Sequence, residues 1–147
     1  MIIAYDLDGV LCVKPEASPK KWGMMKKAER DERKRSLLEH YSKADRLLNP
    51  DCRFHVITAR KNDELTRSAT EMWLKHHFGD RIISVSMLNE SRTVENVVKH
   101  KSDAIRMLGV EEFTEDNKAV LKGIRKLNPT IRLYFWEQGM PSRVLFQ

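Results

Sequence analysis

Two carboxylates one residue apart define the first chemistry this chain can do. Asp6-Leu7-Asp8-Gly9-Val10 follows directly on a short apolar run. A carboxylate at a strand end can attack phosphorus, and a second can handle the proton of the leaving group. Gly9 lets the chain turn sharply and brings backbone close to a ligand. The same residues also fit an acidic strand end before a tight turn, and alone they do not separate the two readings. Three further features weigh on the choice. Val56-Ile57-Thr58 is an apolar run ending in a hydroxyl that can donate to a phosphoryl oxygen. Lys101 precedes a helical segment and a further strand, where its cation can neutralise phosphate and nucleophile. Phe113-Thr114-Glu115-Asp116-Asn117 ends a strand in paired acids. Carboxylates beside Asp6 repel unless a cation lies between them, which suggests Mg²⁺ and its preference for oxygen ligands.

These groups converge only if strands carry them to one edge. Short apolar runs alternate with helical segments, the pattern of an α/β fold with a parallel sheet. Strands are expected at Ile2–Asp6, Arg53–Thr58, Arg81–Val85, Glu112–Glu115 and Ile131–Trp136. Ser18-Pro19 is a plausible helix start. Ser36-Leu37-Leu38-Glu39 fits a capping box and predicts a new start or break, with Leu37, Leu38, Tyr41, Ala44, Leu47 and Leu48 at helical spacing up to Asn49-Pro50. Asp63 is expected to cap the next helix, with Leu65, Ala69, Met72 and Trp73 on one side. A third helix holds Ile105, Met107 and Leu108 and stops at Gly109, and a fourth runs from Lys118 to Leu127. In such a sheet, ligands bind beyond the carboxyl ends of the strands, where Asp6, Thr58 and Glu115 fall.

Taken in this order, these residues resemble the haloacid dehalogenase-like (HAD) superfamily of phosphatases. The resemblance covers Met1 to about Trp136, and its first motif is the most specific. It implies a three-layer, Rossmann-like, doubly wound parallel sheet of about five strands with the first strand central. It also implies roles by position. Asp6 forms an aspartyl-phosphate; Asp8 protonates the leaving oxygen and then activates water. Thr58 and Lys101 bind the phosphoryl oxygens, Lys101 being preferred to Lys99 because its spacing to the following helix and strand fits the family. Mg²⁺ is held by the Asp6 carboxylate, the Asp8 carbonyl and Asp116, with Glu115 assisting. Thr58-Ala59-Arg60 followed by Thr70-Glu71-Met72-Trp73-Leu74 is more loosely similar to nucleotidase-like and phage or bacterial members. Gly9, through the turn it allows, and Ala59 and Arg60, directly after Thr58, are candidate substrate contacts.

The intervals Asp8–Thr58 and Thr58–Lys101 are too short for a full cap domain once their own helices and strands are subtracted. A small basic lid at residues 12–35 is expected instead, which implies an open site and a large substrate or a partner that closes it. The net charge is +6, and residues 14–46 carry eleven Lys/Arg against six Asp/Glu, a net of +5. A solvated helix face accounts for such a run, as does attraction of an anionic substrate or a nucleic acid. Within it, Lys20 and Lys21 are candidate phosphate contacts, and Trp22 either stacks on a base or packs the lid onto the sheet.

The 147 residues fit one domain, assigned to 1–141. Ser142–Gln147 ends in VLFQ, similar to the remnant of a viral 3C-type protease site used for tag removal, and is expected to lie outside the fold. No apolar run spans a bilayer and no export signal is evident, so a cytoplasmic protein with reduced Cys12 and Cys52 is expected. The five histidines show no metal-ligand spacing. The leading expectation is a Mg²⁺-dependent phosphomonoesterase acting on nucleotides or nucleic-acid ends. A catalytically silent nucleic-acid-binding module on the same fold is one alternative, and a phosphatase of phosphoproteins or sugar phosphates is another. A receiver domain is disfavoured because no acid ends the Arg81–Val85 strand.

Overall fold

The computed structural model describes residues Met1–Gln147 as an α/β fold with four helices and a six-stranded, mostly parallel sheet of Rossmann-like form. The strands are β1 (Ile3–Tyr5), β2 (Phe54–Lys61), β3 (Ile82–Leu88), β4 (Glu112–Glu115), β5 (Arg132–Phe135) and β6 (Val144–Phe146). Their order is β3-β2-β1-β4-β5-β6, so β1 is interior, between β2 and β4. Strands β1 to β5 pair in parallel; β6 returns antiparallel to β5.

The helices are α1 (Lys27–Lys43), α2 (Glu64–Phe78), α3 (Val94–Leu108) and α4 (Lys118–Leu127). α1 packs with α2, and α3 with α4. Alternation along the strands feeds a core on each face of the sheet. Ala4 and Ile57 join Phe113, Ile105 and Ile124 on one side, whereas Tyr5, Phe54 and Val56 join Trp73, Leu74 and Phe78 on the other. Strands covered on both faces read as continuous apolar runs, which is why they are visible in the sequence. On the first face, Gly123 lets α4 close on α3: a Cβ there would lie 2.6 Å from Val98.

Several expectations are corrected. No helix starts at Ser18-Pro19; the chain bends there and makes a single 3-10 turn at Trp22–Met24. α1 begins at Lys27, where the Glu29 carboxylate accepts from the Lys26 amide, and passes through Ser36 without a break. It ends at Lys43 instead of continuing to Leu48, because the Leu47 and Leu48 amides donate to the Leu11 and Val10 carbonyls. That pairing ties residues 44–48 to the loop after β1. In α2, Asp63 caps as expected, accepting from Thr66, but the buried face is Thr70, Trp73, Leu74 and Phe78; Leu65 and Met72 are exposed. Met107 of α3 is likewise exposed. The segment 142–147 is not outside the fold. Its Val144–Phe146 stretch satisfies the outer edge of β5 and raises the strand count from five to six. Arg125 fastens it by donating to the Phe146 carbonyl at 3.1 Å. No helix is long and apolar enough to cross a membrane.

Candidate functional site

The strand order reverses direction at β1, and the crevice at such a point is where α/β sheets bind ligands. Asp6 leaves the end of β1 with its amide donating to the Thr114 carbonyl of β4 at 2.9 Å. This bond brings the acids after β1 beside those that end β4. The Leu7 carbonyl then accepts from the amides of Val10, Leu11 and Cys12, closing a tight turn through Gly9. Gly9 has φ +87°, and a Cβ there would overlap the Lys14 side chain and the Asp116 carboxylate, whose Cγ would be 2.9 Å away. The glycine is required twice, by conformation and by space.

Oxygens of Asp6, Glu115 and Asp116 lie within 4.8 Å of one another. Lys101, reaching from α3, bridges two of these carboxylates: its ammonium donates to Asp6 Oδ1 at 3.0 Å and Glu115 Oε1 at 2.5 Å. All three residues are buried. Burial opposes a charge on Lys101, but the two carboxylates prevail and hold its pKa above the ordinary lysine value. Glu115 is raised well above the ordinary glutamate value, first by burial and then by repulsion from Asp6, with Lys101 offsetting part of this. Its Oε2 accepts from the amides of Asp116 at 2.9 Å and Asn117 at 3.3 Å, while Asn117 caps α4. Asp116 is paired with Lys14.

Asp8 is held differently. Arg60, at the end of β2, forms a two-point fork with it: Nε donates to Oδ2 at 2.9 Å and Nη2 to Oδ1 at 2.7 Å. The guanidinium also donates to Thr70 Oγ1 at 2.9 Å and lies 3.7 Å from the centre of the Tyr41 ring. Thr58 is buried; its hydroxyl oxygen accepts from the Arg60 amide at 3.1 Å, which leaves the hydroxyl hydrogen free to donate.

Asp6, Asp8, Thr58, Ala59, Lys101, Glu115 and Asp116 all line one cavity of about 340 Å³. The structure thus brings the four sequence segments together. Other expected contacts are not in that wall. Arg60 turns its guanidinium to Asp8 and Thr70 and does not line the cavity. Lys20 pairs with Glu29, and neither it nor Lys21 reaches the cavity. Trp22 lies beneath Arg30, 5.4 Å from the guanidinium. Lys99 is exposed on α3. Much of the basic charge of α1 is matched within the helix, by Lys27–Asp31, Arg35–Glu32 and Lys43–Glu39. Of the expected lid, Lys14 to Ala17 and Arg33 line the cavity. Lys14, Arg33 and Arg92 are the residues sequence reasoning missed, and only their positive charge was there to find them.

The donor set fits Mg²⁺: three carboxylates, all hard oxygen donors, converge where Gly9 leaves room for them. Lys14 and Lys101 already lend two positive charges to this acidic cluster. No protein-family model matches this chain, and a search of curated proteins finds no match.

Proposed function

We propose that this protein is a Mg²⁺-dependent phosphomonoesterase of the haloacid dehalogenase-like type, acting on nucleotides or nucleic-acid terminal phosphates. The observation that carries the reading is the Lys101 bridge between Asp6 and Glu115, with Asp116 beside them. A buried lysine shared by two carboxylates in a cavity wall neutralises a nucleophile and its neighbour, and it engages only one oxygen of Asp6.

In this reading an Asp6 oxygen attacks phosphorus, and the bond from phosphorus to the leaving oxygen breaks as Asp8 delivers a proton to it. Water then attacks the aspartyl-phosphate while Asp8 takes its proton, releasing phosphate and restoring Asp6. Arg60 orients the Asp8 carboxylate through both its oxygens. The Thr58 hydroxyl and Lys101 bind the phosphoryl oxygens. Asp6, Asp116 and Glu115 would hold Mg²⁺, which when bound offsets the charge of the phosphoryl group and of the assembled acids.

The test is release of phosphate from p-nitrophenyl phosphate with and without Mg²⁺. Activity is expected to require the ion and to fall at least a hundredfold in Asp6→Asn. Turnover that persists in EDTA, or an Asp6→Asn protein as active as the parent, would overturn the proposal.

A further inference from the structure

We infer that Arg33 and Arg92 form a second anion subsite, so that the substrate is a phosphate monoester carrying another phosphate close to the one removed. The inference deepens the phosphohydrolase reading and rests on it. Arg33 comes from α1 and Arg92 from the segment before α3, and both line the same cavity as Asp6 and Asp8. Four cationic side chains line that cavity. Lys101 is committed to Asp6 and Glu115, and Lys14 to Asp116. Arg33 has no carboxylate partner; one of its nitrogens donates to the Glu16 carbonyl at 2.8 Å, which leaves other donors of its fork unused. Arg92 makes no hydrogen bond and no ion pair. The two cations of the wall without an acidic partner are therefore both arginines, the side chain whose planar fork matches phosphate.

Their placement agrees. Both guanidinium charges act on the buried Tyr41 phenol, against the burial that raises its pKa. Tyr41 lies against Arg60, behind Asp8. Both arginines share the cavity wall with Asp8 and the acidic cluster, so a second phosphate on a bound substrate lies within the same cavity as the one removed. The rest of the wall is Pro15, Ala17, Ala59, Val94, Val97 and Val120 with the polar Glu16, Thr93 and Asn117, and it holds no aromatic ring on which a base could stack. Recognition there depends on charge and not on the identity of a base. A cavity of about 340 Å³ is at the small end of ligand sites, sufficient for two phosphates and a sugar.

The experiment compares kcat/KM with Mg²⁺ for p-nitrophenyl phosphate, adenosine 5′-monophosphate, adenosine 3′,5′-bisphosphate and a 5′-phosphorylated dinucleotide. The parent is expected to prefer the last two. Arg33→Gln and Arg92→Gln are each expected to lower the ratio of bisphosphate to p-nitrophenyl phosphate turnover by about tenfold, the value of one lost charge-assisted contact. Lys122→Gln, an equal charge change on the exposed side of α4, is expected to leave the ratio within about twofold, as surface charges do away from a site. Preference for the dinucleotide over the bisphosphate supports the subsite and assigns it to a strand end; the reverse supports it and assigns a free nucleotide. A ratio unmoved in both arginine variants, or a parent indifferent to the second phosphate, overturns the inference. Binding separates this failure from failure of the proposed function. Calorimetric titration of the Asp6→Asn protein with adenosine 3′,5′-bisphosphate needs no turnover. Affinity that drops tenfold on adding either arginine change sustains the subsite even if no ester is hydrolysed, and absence of binding sinks it.

Discussion

Arg60 and Asp8, 52 positions apart, are joined by two parallel hydrogen bonds of 2.9 and 2.7 Å. The guanidinium is almost fully buried, so its fork cannot drift, and the carboxylate takes its orientation from it. Lysine at this position could offer a charge but no fork, and it would lose the stacking on Tyr41 and the bond to Thr70. Arg60→Lys is expected to lower kcat at least tenfold with little change in KM, because Arg60 does not line the cavity. Stability should fall by about 1–3 kcal/mol, the cost of buried polar groups left unpaired. Steady-state kinetics and urea denaturation measure both, and an unchanged kcat would show that Asp8 needs no such orientation.

Lys101 is the counter-charge that makes the acidic cluster foldable. Lys101→Met would leave Asp6 and Glu115 facing each other in a buried site, and breaking such a pair costs about 3–5 kcal/mol. A divalent ion can replace part of the lost positive charge. Thermal unfolding with and without Mg²⁺ should therefore show a larger ion-dependent rise in Tm for the variant than for the parent. Equal rises would mean that the ion, if it binds, does not meet Asp6 and Glu115.

The main sheet and the candidate site were legible for the same reason: strands buried on both faces are apolar runs, and the acids and the hydroxyl stand out where those runs end. Asp6, Asp8, Thr58, Glu115 and Asp116 are legible this way; Lys101 is not at a strand end and is singled out only by its spacing in the family resemblance, and it lies within α3 rather than before a helix. What escaped depends on tertiary partners. Ser36-Leu37-Leu38-Glu39 has the letters of a helix start, but a helix already under way at Lys27 passes through it. Leu47 and Leu48 keep helical spacing, yet their amides find carbonyls at Leu11 and Val10. Nothing in a single sequence distinguishes Lys14, placed on Asp116, from Lys20, placed on Glu29. Arg60 stands out in the sequence by its nearness to Thr58, but its ion pair does not, because the Asp8 carboxylate meets it only once β1 and β2 are paired.

Gly9 should not tolerate a side chain. Alanine at φ +87° is strained by about 1–2 kcal/mol, and its Cβ would push on the Asp116 carboxylate and on Lys14. Gly9→Ala is therefore expected to weaken Mg²⁺ or Mn²⁺ binding at least tenfold, measured calorimetrically. Gly139→Ala separates strain from steric conflict, since Gly139 has φ +97° and nothing within 4 Å of an added Cβ. The control should lose a similar amount of stability and keep its ion affinity. Equal ion affinity in both variants would mean that the space beside Asp116 is not part of an ion site.

Acid sensitivity should pass in part through His100. This side chain is half-buried on α3, its Nε2 3.1 Å from the Thr58 carbonyl. Burial lowers its pKa below the ordinary value of 6.5 and the Lys101 cation lowers it further, while the carbonyls of Thr58 and Ser86 pull the other way. The sign follows from proton uptake. As pH falls through the ordinary histidine range, the unfolded chain takes a proton that the folded chain refuses, so stability declines. The decline ends once pH is below the folded value, where both states are protonated. His55 and His77 are lowered too, each chiefly by burial, so His100 carries one share of a common slope. His100→Gln keeps an amide donor for the Thr58 carbonyl but cannot titrate. Urea midpoints taken from about pH 7.5 down to about pH 5.5 should fall less steeply for the variant than for the parent. Parallel slopes would show that His100 takes up its proton as readily in the folded protein as in the unfolded chain, which its packing between the sheet and Lys101 should forbid.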